Sequence, residues 1–210
     1  RRIDRTGLME GLDSFEGQAF QLITSKAKET FDLAKETPHT QDRYGRHQLG
    51  QWLLLARRLC EAGCGFITMH YGGWDMHSDI GAAMRGIAPP MDQAVSAFID
   101  DLTQRGMLDD VLLVISGEFG RTPRINGTAG RDHWAPLSTL AFAGGGLKLG
   151  QAFGESSSKV EVPKSTPITP QDVMATILHV CGIDPKLLFK DPSGRPMYLV
   201  EIGLPFVGIV

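Results

Sequence analysis

Val111 to Ile115 form an unbroken apolar run between Asp109-Asp110 and Ser116-Gly117-Glu118. A run of about four to eight such residues, closed on both sides by polar and glycine residues, suits a strand covered on both faces better than a helix. Helical patterns stand around it. Apolar residues recur at steps of three and four from Leu12 through Phe15, Ala19, Leu22, Ile23 and Ala27 to Phe31. A second helix is predicted from Gln48 to Ala62, with Arg57, Arg58 and Glu61 able to face water. A third runs from Met91 to Arg105 and stops at Gly106. Thr169-Pro170-Gln171-Asp172 supplies a capping residue, a first-turn proline and an acid at the third helical position, opening a last helix that stops at Gly182. Gly65 to His70 and Ser138 to Ala143 read as further short strands. Strand and helix therefore alternate, which predicts a single α/β domain over residues 1–210: a mainly parallel sheet with helices on both faces.

Composition excludes several classes. Lys plus Arg total 21 against 24 for Asp plus Glu, a net charge of −3 without a basic run, so a nucleic-acid groove has no electrostatic footprint. The apolar runs fall far short of the roughly 20 residues of a membrane span. Cys60, Cys64 and Cys181 are too few and too scattered for a disulfide framework and read as buried small hydrophobes. A nucleotide cofactor is not expected, because no Gly-x-Gly-x-x-Gly follows a strand.

In open α/β sheets ligands bind beyond the carboxyl ends of the strands. That rule selects Tyr71 to His77, Gly117 to Pro123 and, less directly, Gly127 to Trp134. An acid and an imidazole two residues apart in a glycine-hinged loop can turn toward one cation, and a further imidazole can complete a site with an open position. Asp75, His77 and His133 make that set. Glu118 leaves the most buried strand and is the further acid expected at the site, as ligand or catalytic group, ahead of Asp132. Asp132 can ligate or can orient His133 from behind. Arg121, the other catalytic candidate, and Arg131 can clamp a tetrahedral anion or brace the acids beside them. His70 can be a ligand or a packed histidine, and Phe119, which has no ligand atom, is expected to pack inward.

Five motifs in order, Asp42-Arg-Tyr-Gly-Arg-His47, Gly73-Trp-Asp-Met-His77, Gly117-Glu-Phe-Gly-Arg-Thr-Pro123, Gly130-Arg-Asp-His-Trp134 and Gly194-Arg-Pro196, resemble a bacterial domain-of-unknown-function family, number 1501. That family in turn resembles the alkaline phosphatase and sulfatase superfamily. The resemblance implies an alkaline phosphatase-like fold, of which this chain is the C-terminal portion. It also implies one metal site made of Asp75, His77 and His133. At the second site Glu118-Phe119 stands where the superfamily has an Asp-His pair, so the carboxylate is kept and the imidazole lost.

The activity so implied is metal-dependent hydrolysis of phosphate or sulfate esters, with a small anionic ester, free or on a carbohydrate, as substrate. Zinc or manganese is expected ahead of calcium. The superfamily's first strand, early metal Asp and nucleophile have no counterpart before Asp75, so they are expected in a preceding segment together with a twin-arginine export signal. The 210-residue chain alone is then expected to show no ester turnover. The competing reading is an exported binding or structural protein that keeps the fold and has lost catalysis.

Overall fold

A computed structural model describes residues 27–206, whose contacts form two compact units: residues 27–71 with Pro89–Phe98, and Gly72–Ala88 with residues 99–206. Most of the first predicted helix lies outside the described residues; its last turn, Ala27–Thr30, is α1.

The first unit is helical. After α1 and a 3₁₀ turn at Leu33–Lys35, Thr37 caps α2 (Pro38–Tyr44), with Pro38 at its first position. His47 caps α3 (Gln48–Glu61), its Nδ1 accepting from the Gly50 amide at 3.2 Å. The sharp α2–α3 corner needs glycine twice. Gly45 takes φ +91°, and a Cβ on Gly50 would lie 2.2 Å from the Tyr44 carbonyl oxygen. The Asp42-to-His47 motif is thus this corner. Tyr44, Leu49, Leu53, Leu54, Ala56, Ala94, Ala97 and Phe98 are buried.

Arg57 departs from expectation. The helical pattern leaves it able to face water, yet it is 1% exposed. Its guanidinium stands 2.7 Å from Glu36 Oε2 and 2.6 Å from Glu61 Oε2. Arg58 also holds Glu36, and donates to the carbonyls of Glu29 and Thr30. A helical-wheel reading places charged residues outside because it does not contain the partner, Glu36, that neutralises Arg57 within the unit.

In the second unit, α4 begins at Ile80, capped by Asp79, whose Oδ1 accepts from the Ala82 amide. The whole helix spans Ile80–Gln104 and carries Pro89 and Pro90 inside it. The helix predicted from Met91 thus begins eleven residues earlier and runs through two prolines, each of which removes an amide donor and usually breaks or kinks a helix interior. β1 (Leu112–Ile115) pairs antiparallel with β4 (Ala141–Gly144), Leu112 opposite Gly144. β2 (Gly120–Arg121) pairs antiparallel with β3 (His133–Trp134), and β5 (Leu188–Lys190) with β6 (Pro196–Tyr198). Thr169 and Asp172 form the expected reciprocal cap of α5 (Pro170–Val180).

The mainly parallel sheet with helices on both faces, and with it the alkaline phosphatase-like fold, is therefore corrected. Among the described residues the sheets are three antiparallel pairs of two strands. The apolar pattern of Val111 to Ile115 cannot distinguish a doubly covered strand from a half-covered one. β1 is half-buried along its length and its one partner among the described residues is β4. No helix lies between β1 and β4 to serve as the crossover that a parallel pair requires. Residues 65–70, predicted as a strand, pair with no described strand. In the first unit Ile67, Met69 and His70 instead line a groove of about 410 Å³ with Trp52, Leu55 and Leu59. Cys64 and Cys181 are exposed rather than buried, and Cys60 is half-buried. No helix among the described residues is long and apolar enough to cross a membrane.

Burial, the largest single influence, pushes the Glu36 carboxyl up, but the bonds and charges of Arg57 and Arg58 together outweigh it and hold the carboxyl below its ordinary value. Its contribution to stability is therefore complete above the unfolded glutamate value of about 4.3 and is lost as pH falls through the lower folded value. Urea denaturation across pH 2–6 should show this loss, and Glu36→Gln should reduce it. At neutral pH Arg57→Leu should cost roughly 3 kcal/mol, the low end for breaking a buried pair, because Arg58 still partners Glu36.

Candidate metal centre

Two loops of the second unit build the site. Residues 72–79 make tight local turns, with the Met76 amide bonded to the Trp74 carbonyl and the His77 amide to that of Asp75. Residues 126–134 close on themselves through Asn126 N–H to the Gly130 carbonyl, 2.8 Å. Backbone bonds then zip the loops together: Asp79 N–H to Thr128 O, Ile80 N–H to Ala129 O and Arg131 N–H to Met76 O, all 2.9–3.0 Å. Contact is so close at Gly130 that a Cβ there would lie 2.0 Å from the His77 carbonyl carbon. β2 and β3 add the last element. Arg121 and His133 are directly opposed in their register, so both side chains leave the same face.

Asp75 Oδ1 is the point of convergence. It stands 3.0 Å from His77 Nε2, 3.0 Å from His133 Nε2 and 2.7 Å from Arg121 Nη1. The two Nε2 atoms are 3.2 Å apart. Behind them His77 Nδ1 meets Asp132 Oδ1 at 2.8 Å, and the Phe119 ring packs on His133 with centroids 4.5 Å apart. The hydrogen bond of His133, then that of Arg121, pulls the Asp75 carboxyl down to about 2. Asp132 is likewise held low, first by His77 and then by Asn126. Both acids are therefore ionised at neutral pH, and among the described residues Arg121, paired with Asp75, is the one guanidinium or ammonium bonded to either, so the group favours a further positive charge.

The donor set fits a small divalent ion. At zinc–ligand distances of about 2.0–2.1 Å the edge of a tetrahedron is about 3.3–3.4 Å. The triangle of Asp75 Oδ1, His77 Nε2 and His133 Nε2 has edges of 3.0, 3.0 and 3.2 Å, so it is nearly one face of that tetrahedron. Two imidazole nitrogens and a carboxylate oxygen turned on one another crowd three lone pairs, which a cation satisfies together and a shared proton only in part. The three side chains are exposed, leaving the fourth direction open to solvent.

The structure thus brings together Asp75, His77, His133 and Arg121. It places Asp132, not Glu118, against the histidines; Glu118 is exposed and outside the group whose ligand atoms converge. Phe119 is half-buried, against His133. Arg131 serves the site with its backbone amide. The Thr122 hydroxyl donates to the Arg124 carbonyl and accepts from the Asp132 amide, a loop-holding role. Asn126, not singled out from the sequence, binds His77, Asp132, Thr128 and Gly130 at once. Its signal was the Asn126-Gly127 turn dipeptide, whose asparagine commonly bonds to backbone further along.

Gly130→Ala should lower stability by about 1–3 kcal/mol by overpacking. The Asp79 and Ile80 amides should lose hydrogen-exchange protection in the same variant, since the loops must part.

One family model, described as protein of unknown function (DUF1501), matches residues 4–205. No curated protein and no solved structure matches the chain.

Proposed function

We propose that this chain, which belongs to the DUF1501 family, binds a divalent cation through Asp75, His77 and His133 and serves as the metal-bearing part of a hydrolase for phosphate or sulfate esters. The observation that carries the reading is the convergence of one carboxylate oxygen and two imidazole nitrogens within 3.2 Å of one another, open to solvent on one side. Mixed nitrogen and oxygen donors suit zinc or manganese; calcium takes six to eight oxygens at about 2.3–2.6 Å and does not match so small a triangle. A bound cation supplies Lewis acidity toward an ester oxygen. Arg121, whose guanidinium already meets an anionic oxygen at this point, is the chain's own group for an anionic substrate. Asp132 holds the His77 ring.

A second reading, a metal-binding protein without catalysis, is favoured by Phe119. Its ring lies on His133 and offers no ligand for a second cation. Elemental analysis of the full-length protein, calorimetric titration with zinc, manganese and calcium, and assay of aryl phosphate and aryl sulfate separate the two. About one equivalent of zinc or manganese is expected, and Asp75→Asn or His133→Ala should weaken it by at least about 100-fold, beyond the usual effect of a residue behind the ligands. Metal-dependent turnover lost in Asp75→Asn establishes the hydrolase. Stoichiometric metal without turnover establishes the binding protein, and absence of metal binding overturns both.

A further inference from the structure

Asn126 makes more bonds than a turn requires. Its Oδ1 accepts from the Thr128 and Gly130 amides at 3.0 and 2.9 Å, and from the Thr128 hydroxyl. Those bonds close the loop. Its Nδ2 does something else: one amide nitrogen donates to the His77 carbonyl at 3.0 Å and to Asp132 Oδ1 at 3.0 Å. Asp132 Oδ1 is the same atom that meets His77 Nδ1. The side-chain amide therefore ties the carboxylate to the backbone of the very residue whose ring that carboxylate orients.

We infer that Asn126 is a positioning residue: it fixes Asp132 on His77 Nδ1 and so selects the neutral tautomer whose Nε2 lone pair faces Asp75 and His133. The chemistry follows from the donor inventory. A carboxylate only accepts, so a neutral His77 bonded to Asp132 carries its proton on Nδ1 and leaves Nε2 free to ligate. Without a fixed acceptor behind it the ring can turn or move its proton to Nε2, where the Asp75 carboxylate is an equally good acceptor 3.0 Å away. That alternative closes the ligand position. The backbone of Asp132 is already set by Thr122, so what Asn126 adds is the direction of the side chain.

The role of this tautomer in ligation rests on the proposed metal centre, but the tautomer itself can be read without metal. Long-range proton–nitrogen correlation spectra of the metal-free protein, at a pH where His77 is neutral, should show the Nδ1–H form. Asn126→Asp keeps the acceptor that closes the turn and removes both donors, setting a carboxylate against that of Asp132. The Nδ1–H fraction should fall while the Asp79 and Ile80 amides stay protected. Asp132→Ala should produce the same change and leave the Asn126 bonds to the loop intact. Zinc affinity should drop about 10–100-fold in both. For Asn126→Asp the sign is decisive, since an added negative charge acting only through space strengthens cation binding.

An Nε2–H His77 in the native protein overturns the inference, as does an unchanged tautomer in the variants or zinc affinity in Asn126→Asp equal to or above the native. If the native protein binds no zinc, the metal centre fails, and the metal-free tautomer and its response to Asn126→Asp still decide the role of Asn126.

Discussion

The candidate site exists because two backbones touch at Gly130. There is no space between this residue and the carbonyl of His77 for even one methyl group. That approach lets Asp79, Ile80 and Arg131 donate across the two loops, so that Asp75 and His77 are held against Asp132 and His133 although more than fifty positions separate them in the chain. Side chains on loops alone rarely hold ligand geometry. Here the precision comes from a backbone ladder and from the two-residue β2–β3 pair, which sets Arg121 beside His133.

Charge is managed differently in the two units. Around Arg57 the guanidinium and Glu36 are largely removed from water, Glu61 reaches in from the exposed side, and each carboxylate has a guanidinium, so the group is neutralised from within and can serve structure. Around Asp75 the acids are exposed, Arg121 pairs with Asp75 while Asp132 is held by His77 and Asn126, and three potential ligand atoms turn on each other. A closed network has no capacity left for a ligand; an open, anion-rich one has. This difference, rather than the number of charges, distinguishes a brace from a candidate centre.

Much of the site's chemistry was legible before its geometry. Asp75, His77 and His133 were selected by residue type, by glycine-hinged loops and by their position after or before apolar runs, and all three converge. Glu118 was ranked above Asp132 because it follows the strand Val111–Ile115, and the register of the neighbouring pair decides otherwise. Arg121 and His133 are opposed there, and the residue before His133, with Thr122 on its backbone, reaches His77. Nothing local to Glu118 or Asp132 encodes that choice.

What the sequence by itself determined is whatever its neighbours along the chain can enforce. The reciprocal cap of Thr169 and Asp172, the α3 span, the glycine stop at Gly106 and the loops that carry the ligands all depend on bonds within about four residues. Tertiary structure alone decided strand partners and direction, the burial of Arg57, and Asn126 as the clip behind His77. A strand's pairing, a buried ion's partner and a ring's hydrogen-bond acceptor each lie on another segment. Their energy therefore appears only once the chain has closed those distances.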